Sequence, residues 1–358
     1  LIKAVLPGSV IGIIGGGQLG RMFALEAANM GYRTHIFSPG ENDPAKQVTN
    51  LATTADYSDL SAARSFAEAC DVITFEFENI PAETVAAMAA ITPTYPDYNV
   101  LRICQNRVLE KSFINAQNIQ TAPWQEVKSL DELLLSLAEL GLPAILKTAE
   151  QGYDGKGQRL IKTLDDATSA WSELSGVQLV LEGFVDFTAE ISVITARRQS
   201  GEVASFPPAH NMHSGGILHT SSVPVSSELL SADLQARAIQ ISESLTSAYN
   251  LVGIHAVEMF VTRSGELVVN EIAPRPHNSG HWTMNGCVTS QFEQHLRAIC
   301  NLPFGSTEIT KPIQMLNLIG DDIHRIPEYL SNPNAKVHLY GKLEAKSGRK
   351  MGHINFIA

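Results

Sequence analysis

Between residues 10 and 90, short apolar runs alternate with amphipathic stretches. Val10–Ile14 reads as a buried strand, Gln18–Met30 as a helix ended by Gly31, and Arg33–Phe37 as a second strand. A helix near Ser58–Cys70, a strand over Val72–Phe77 and an Ala-rich helix through Met88 continue the series. Strands separated by helical segments imply right-handed crossovers and a doubly wound parallel sheet, whose ligands lie beyond the carboxyl ends of the strands. Two prolines in Ile91-Thr-Pro-Thr-Tyr-Pro96 then punctuate the chain. Asp97–Asn118 has a helical apolar period, Ala144–Thr148 and Val177–Glu182 read as strands, and Ala232–Tyr249 as a helix. A hairpin spans 254–272, and the last ~55 residues are short strands and turns.

Each pattern places polar residues where chemistry can use them. Gly15-Gly-Gly17-Gln-Leu-Gly20 joins the first strand to the first helix, so free N–H groups at a helix start favour a phosphate there. The second strand ends in Ser38-Pro39 rather than an acid, which disfavours a dinucleotide and a nicotinamide-dependent oxidoreductase. Strand alternation in Phe75-Glu-Phe-Glu78 puts Glu76 and Glu78 on one side at the ligand edge. Gln151-Gly-Tyr-Asp-Gly-Lys-Gly157 can close its N–H groups over phosphates, although it lacks P-loop spacing. Lys147 ends an apolar strand, where an ammonium needs an anion.

The hairpin is the most informative segment. With a two-residue Ser264-Gly265 turn, Glu258 faces Glu271, Phe260 faces Val269 and Thr262 faces Leu267 on an otherwise apolar face. Two carboxylates opposed there repel, and one must take a proton unless a cation sits between them. Oxygen-only ligands suit Mg²⁺. The next residues, Ala273-Pro-Arg275-Pro-His277-Asn278, are dense in polar groups, and Arg275 can grip a planar anion.

Composition narrows the classes. The 358 residues carry 26 Lys+Arg against 37 Asp+Glu, a net charge of −11, which excludes the positive footprint of a nucleic-acid or basic membrane-surface binder. No apolar run approaches the ~20 residues of a membrane span, and no charged-then-apolar leader begins the sequence. Four cysteines without CxxC spacing indicate neither a zinc site nor a disulfide framework, so a cytoplasmic location is expected.

Taken with GGGQLGRM at 15–22, TAPWQ at 121–125, GYDGKGQ at 152–158, NEIAPRPHNSGHWT at 270–283 and GRKMGH at 348–353, the chain resembles the ATP-grasp superfamily. Within it, the resemblance is to the 5-(carboxyamino)imidazole ribonucleotide synthetases of purine biosynthesis. It implies an α/β and α+β fold: a Rossmann-like domain at 1–96, an ATP-grasp region at 97–302 with a lid at about 121–186, and a β-rich subdomain at 303–358. It implies an ATP- and bicarbonate-dependent carboxylation of 5-aminoimidazole ribonucleotide through carboxyphosphate, with Mg²⁺ and a homodimer. Other ATP-grasp ligases, of the formate-dependent transformylase or biotin carboxylase type, are the alternative.

Residue by residue, the resemblance assigns ATP contacts to Arg107, Lys147, Gly152, Tyr153, Asp154, Gly155, Lys156, Gly157 and Gln158. It adds the Glu182, Gly183, Phe184 and Val185 hinge, then Glu190, His213, Asn270 and Glu271. Glu258 and Glu271 match metal carboxylates, and Arg275, His277 and Asn278 with Lys147 match the reacting centre. Gly17, Gln18, Leu19, Glu76, Tyr153, Asp154, Lys342 and Arg349 match ribonucleotide contacts. Glu76 and His277 are the candidate general bases. Ala273 stands where many superfamily members carry an Asn, leaving more metal coordination to water and phosphate.

Overall fold

The computed structural model describes residues 3–150, 152 and 157–358; Tyr153, Asp154, Gly155 and Lys156, singled out above, lie outside the described residues. The N-terminal sheet is parallel, in the order Leu51–Thr54, Arg33–Ser38, Val10–Ile14, Val72–Phe75. Val10–Ile14 and Val72–Phe75 are buried throughout, so their unbroken apolar runs follow from cover on both faces. Leu51–Thr54 went unpredicted because it is an edge strand with three exposed residues and no apolar alternation. The Val72 strand ends two residues earlier than expected, at Phe75, so Glu76 and Glu78 lie on the turn beyond it.

The Asp97–Asn118 stretch is two helices, Tyr98–Gln105 and Arg107–Ala116. Asn106 separates them: its backbone is extended, and its side chain accepts from Val108 N and Leu109 N to cap the second helix. A four-stranded antiparallel sheet follows, in the order Trp124–Val127, Leu179–Gly183, Ala144–Thr148, Gln158–Ile161. Helices Leu130–Leu140 and Leu164–Leu174 pack on it around Leu133, Leu137, Leu146 and Leu181.

The largest sheet has nine antiparallel strands. Leu267–Ala273, Gly253–Thr262, Phe187–Arg197, Ala209–Ser214 and Ile217–Val223 run on into Ile313–Ile319, Lys350–Ile357 and Ala335–Leu339, with Val203–Ser205 beside Phe187–Arg197. The C-terminal strands therefore extend the central sheet rather than forming one of their own.

The hairpin departs from the expected register twice. Thr262 N donates to Glu266 O and Gly265 N to Thr262 O, closing a three-residue loop with Gly265 at φ +79° in place of the two-residue turn. Consequently Phe260 pairs with Val268 and Val261 with Leu267. A bulge at Asn270 then restores the offset, and Glu258 does pair with Glu271. The bulge matters more than the pairing. Leu267, Val269 and Ile272 join Val257, Met259 and Val261 in one core cluster, and unbroken alternation would send Glu271 into that core. The extra residue turns Glu271 to the face of Glu258 instead. Glu271 thus lines a cleft and Glu258 a smaller recess with Glu190, Asn211 and Asn270, and the expectation of an apolar face around them is corrected.

Candidate active site

The carboxyl edge of the parallel sheet, the first turn of the Arg107 helix and the end of the hairpin enclose a cleft of about 440 Å³. Of the residues singled out in the sequence, Gly17, Gln18, Leu19, Glu76, Arg107, Gly152, Glu271, Arg275, His277 and Asn278 line it. Glu190, Glu258 and Asn270 line a smaller recess on the sheet with Asn211. Lys147 and Glu182 are buried on adjacent strands. In the hinge, Gly183 N donates to Pro123 O at 2.8 Å and Phe184 N to Pro143 O at 3.3 Å, while Phe184 is exposed and Val185 half-buried. Gly157 accepts from Thr148 N through its carbonyl, and Gln158 begins the edge strand. Lys342 and Arg349 are not among the cleft's lining residues; Lys342 Nζ donates to Lys350 O at 2.7 Å, and it is Lys350 that lines the cleft.

The glycine turn lines the cleft through Gly17, Gln18 and Leu19, and two of its N–H groups meet a protein carboxylate at one position. Glu76 occupies that position: its carboxylate accepts from Gly17 N and, at 2.8 Å, from Gly20 N. A side-chain anion from the turn beyond the neighbouring strand thus takes two of the donors around the helix start. Burial raises the Glu76 carboxyl, and the two N–H bonds oppose that shift. With both oxygens engaged, Glu76 is poorly placed as a general base.

Arg275 lies 2.8 Å from Glu78, and its NH1 donates to Pro276 O. Its Nε and both amide atoms of Asn278 are buried without a hydrogen-bond partner. Such orphaned donors and acceptors in a cleft are costly unless a polar ligand meets them. His277 Nδ1 lies 2.8 Å from Ser279 Oγ and 3.3 Å from Ser279 N, and its Nε2 is 3.6 Å from Glu258. Burial and nearby cations hold His277 well below the usual histidine range.

Burial, with Glu271 adding repulsion, pushes Glu258 up to about 8. Glu271 is paired with Arg107 at 3.5 Å. Two opposed carboxylates, one of them destabilised as an anion, suit a hard divalent cation; among the described residues no group of three or more His, Cys, Asp or Glu competes for it. Glu190 pairs with His213 at 3.0 Å, and that carboxylate outweighs burial to raise the His213 pKa.

Sequence reasoning placed Glu78 at the ligand edge without its Arg275 partner, and passed over Glu110, Lys111 and Lys350. Glu110 accepts from Ile272 N at 2.7 Å, beside Glu271, and burial pushes it to about 8. Lys111 is 3.3 Å from Glu182, whose other oxygen meets Lys147 at 2.9 Å. The signal was present: Arg107, Glu110 and Lys111 share one helix face by i, i+3, i+4 spacing.

Family models match the chain along most of its length: a ribonucleotide synthetase preATP-grasp domain at residues 9–105, an ATP-grasp domain at 112–292 and a phosphoribosylaminoimidazole carboxylase C-terminal domain at 314–358. The N5-carboxyaminoimidazole ribonucleotide synthase of Brucella melitensis is 47% identical over 353 residues, covering 98% of this chain and 97% of the relative. The chain belongs to the N5-carboxyaminoimidazole ribonucleotide synthase family. Among solved members of that family, an ADP complex superposes with a TM-score of 0.96 at 43% identity, covering 100% of this chain and 94% of that one. The Aspergillus clavatus synthase, in complex with ADP and 5-aminoimidazole ribonucleotide, gives 0.92 at 32% identity, covering 98% and 94%. The synthase family thus has the fold seen here, an ATP-grasp region flanked by the parallel-sheet and C-terminal β units. No helix among the described residues is long and apolar enough to cross a membrane.

Proposed function

We propose that this chain is an ATP-dependent carbon–nitrogen ligase of purine biosynthesis that carboxylates the exocyclic amine of 5-aminoimidazole ribonucleotide. The observation that carries the reading is the cleft itself. It sets Glu271, whose strand partner Glu258 lines a smaller recess on the sheet, beside an arginine and an asparagine whose buried polar atoms lack partners.

Arg107 and Lys147 are placed to bind the nucleotide phosphates. Glu258 and Glu271 would hold Mg²⁺, which would supply charge neutralisation for the nucleotide phosphates. Arg275 Nε and the Asn278 amide offer donors to bicarbonate. Held there, a bicarbonate oxygen attacks the γ-phosphorus, the bond to ADP breaks, and carboxyphosphate forms. The ribonucleotide amine captures the carboxyl carbon, phosphate leaves, and the amine nitrogen loses a proton. Glu76, Lys342 and Arg349 are proposed for the ribonucleotide, whose amine must approach Arg275. The protein is proposed to act as a cytoplasmic homodimer, which sedimentation at twice the chain mass would support.

Phosphate release measured with each acceptor tests the assignment. The expected result is turnover that needs ATP, bicarbonate and aminoimidazole ribonucleotide together. Turnover that needs formate or biotin instead overturns it.

A further inference from the structure

The mechanism above uses Lys147 and leaves Lys111 idle, although Lys111 is only 1% exposed in its side chain. Burying an ammonium is expensive, and a buried ion cluster is often no more stable than apolar residues of the same volume. Stability is therefore a poor reason for Lys111. Its surroundings supply a better one.

Lys147 and Lys111 approach the two oxygens of a single carboxylate, Glu182, at 2.9 Å and 3.3 Å. Two ammonium groups thus share one anion, and the triad keeps a net positive charge. The strand end and the helix start that carry the two lysines are locked together. Arg107 N donates to Ala149 O at 2.9 Å, and Asn106 Nδ2 reaches Glu150 and Gln178 at 2.9 Å and 2.8 Å. The charged groups facing Lys147 are Glu182, Arg107 and Lys111. Arg107 also lies 3.5 Å from Glu271. Without Lys111, Glu182 and Lys147 would form a closed one-to-one pair with little attraction left for a phosphate.

We infer that Lys111 is a positioning residue for phosphoryl transfer: by sharing the Glu182 carboxylate, it leaves the Lys147 ammonium free to engage a nucleotide phosphate. The inference rests on the reading of Lys147 as a phosphate contact, so its test includes Lys147 itself. Lys147 loses affinity for its proton through burial, Glu182 opposes that, and Arg107 and Lys111 reinforce it. Removing Lys111 and removing Glu182 must therefore move Lys147 in opposite directions.

Steady-state kinetics of the full chain with ATP, Mg²⁺, bicarbonate and aminoimidazole ribonucleotide test this in Lys111→Met, Lys111→Arg, Lys147→Met and Glu182→Gln. Lys111→Met is expected to raise KM for ATP about ten-fold, the scale of one charge-assisted contact, and to change KM for the ribonucleotide less than about two-fold. The alkaline limb of kcat/KM for ATP should move to higher pH in Lys111→Met and to lower pH in Glu182→Gln, and Lys111→Arg should restore most of the ATP affinity. An unchanged ATP KM in Lys111→Met, with a raised one in Lys147→Met, sinks the role of Lys111 alone. An unchanged ATP KM in Lys147→Met sinks the phosphate reading beneath it. Should circular dichroism show that Lys111→Met does not fold, Lys111→Gln, which keeps a donor without the charge, decides by the same outcomes.

Discussion

Glu258 and Glu271 face each other across paired strands, and each is managed by a different neighbour. Glu271 has Arg107 at 3.5 Å; Glu258 has His277 Nε2 at 3.6 Å. In the metal-free protein, Glu258 is pushed up to about 8 and holds a proton at neutral pH. Glu271→Gln should therefore lower the Glu258 pKa while removing a ligand for the divalent cation. The expected result is a fall in ATP turnover of about three orders of magnitude, or ~4 kcal/mol of transition-state stabilisation. The melting temperature of the metal-free variant should be no lower than that of the parent. Near-normal turnover would remove Glu271 from the metal site, and a lowered melting temperature would assign it to structure. Glu110 carries a related sign. Its carboxyl is pushed from 4.5 to about 8, so the metal-free folded state holds more protons than the unfolded one, and its contribution to stability is lost as pH rises through that window.

At the scale of elements, the hairpin shows how a correct contact arises from a different geometry. A straight two-residue turn and a three-residue loop followed by a bulge both bring Glu258 opposite Glu271. Only the second keeps Glu271 out of the cluster formed by Leu267, Val269 and Ile272. Deleting Asn270 removes the bulge. The strand must then either bury Glu271 or slip its register, so ATP turnover should vanish while far-UV circular dichroism stays close to the parent's. Retained turnover would show that the bulge does not aim the acid. Elements with long periodic signals, Val10–Ile14, Gln18–Asn29 and Ala232–Ala248, were legible in the sequence to within a residue or two. The edge strand Leu51–Thr54 and the break at Asn106 were not, because an exposed strand needs no apolar face and a cap inside one amphipathic stretch keeps its period. The site was legible where residues are neighbours in sequence, as in 270–278. It was opaque where two distant segments meet, as with Glu76 at the Gly17 turn and Glu78 on Arg275.

Across the whole molecule, buried histidines join the units and set its response to acid. His295 Nε2 meets Thr74 Oγ1 at 2.8 Å, linking the 291–299 helix to the parallel sheet, and Phe23 packs edge-on against its ring. Burial lowers His255, His281 and His295 to about 3. Their folded pKa values lie below the ordinary 6.5, so unfolding takes up protons under that pH; the stability they contribute is present above 6.5 and lost as pH falls toward 3. His295→Gln keeps a hydrogen-bonding group for Thr74 and deletes one of those protons. Urea unfolding between pH 6 and 4.5 should show a shallower loss of stability in the variant, by ~1.4 kcal/mol per pH unit. Parallel slopes would mean that His295 is not protected from protonation in the folded state.

The linear order of residues determined which groups are available: the strand–helix alternation, the run of Arg275, His277 and Asn278, and two acids one hairpin apart. Those are local properties, readable because period and turn chemistry act over a few residues. Tertiary structure decided which way the groups point and whom they meet. A bulge aimed Glu271, the turn beyond a neighbouring strand set Glu76 against the glycine turn, and the packing of the Arg107 helix against the Lys147 strand put two lysines on one carboxylate. Charges act through space with strengths set by distance and burial, and the chain brings residues into range only after it has folded.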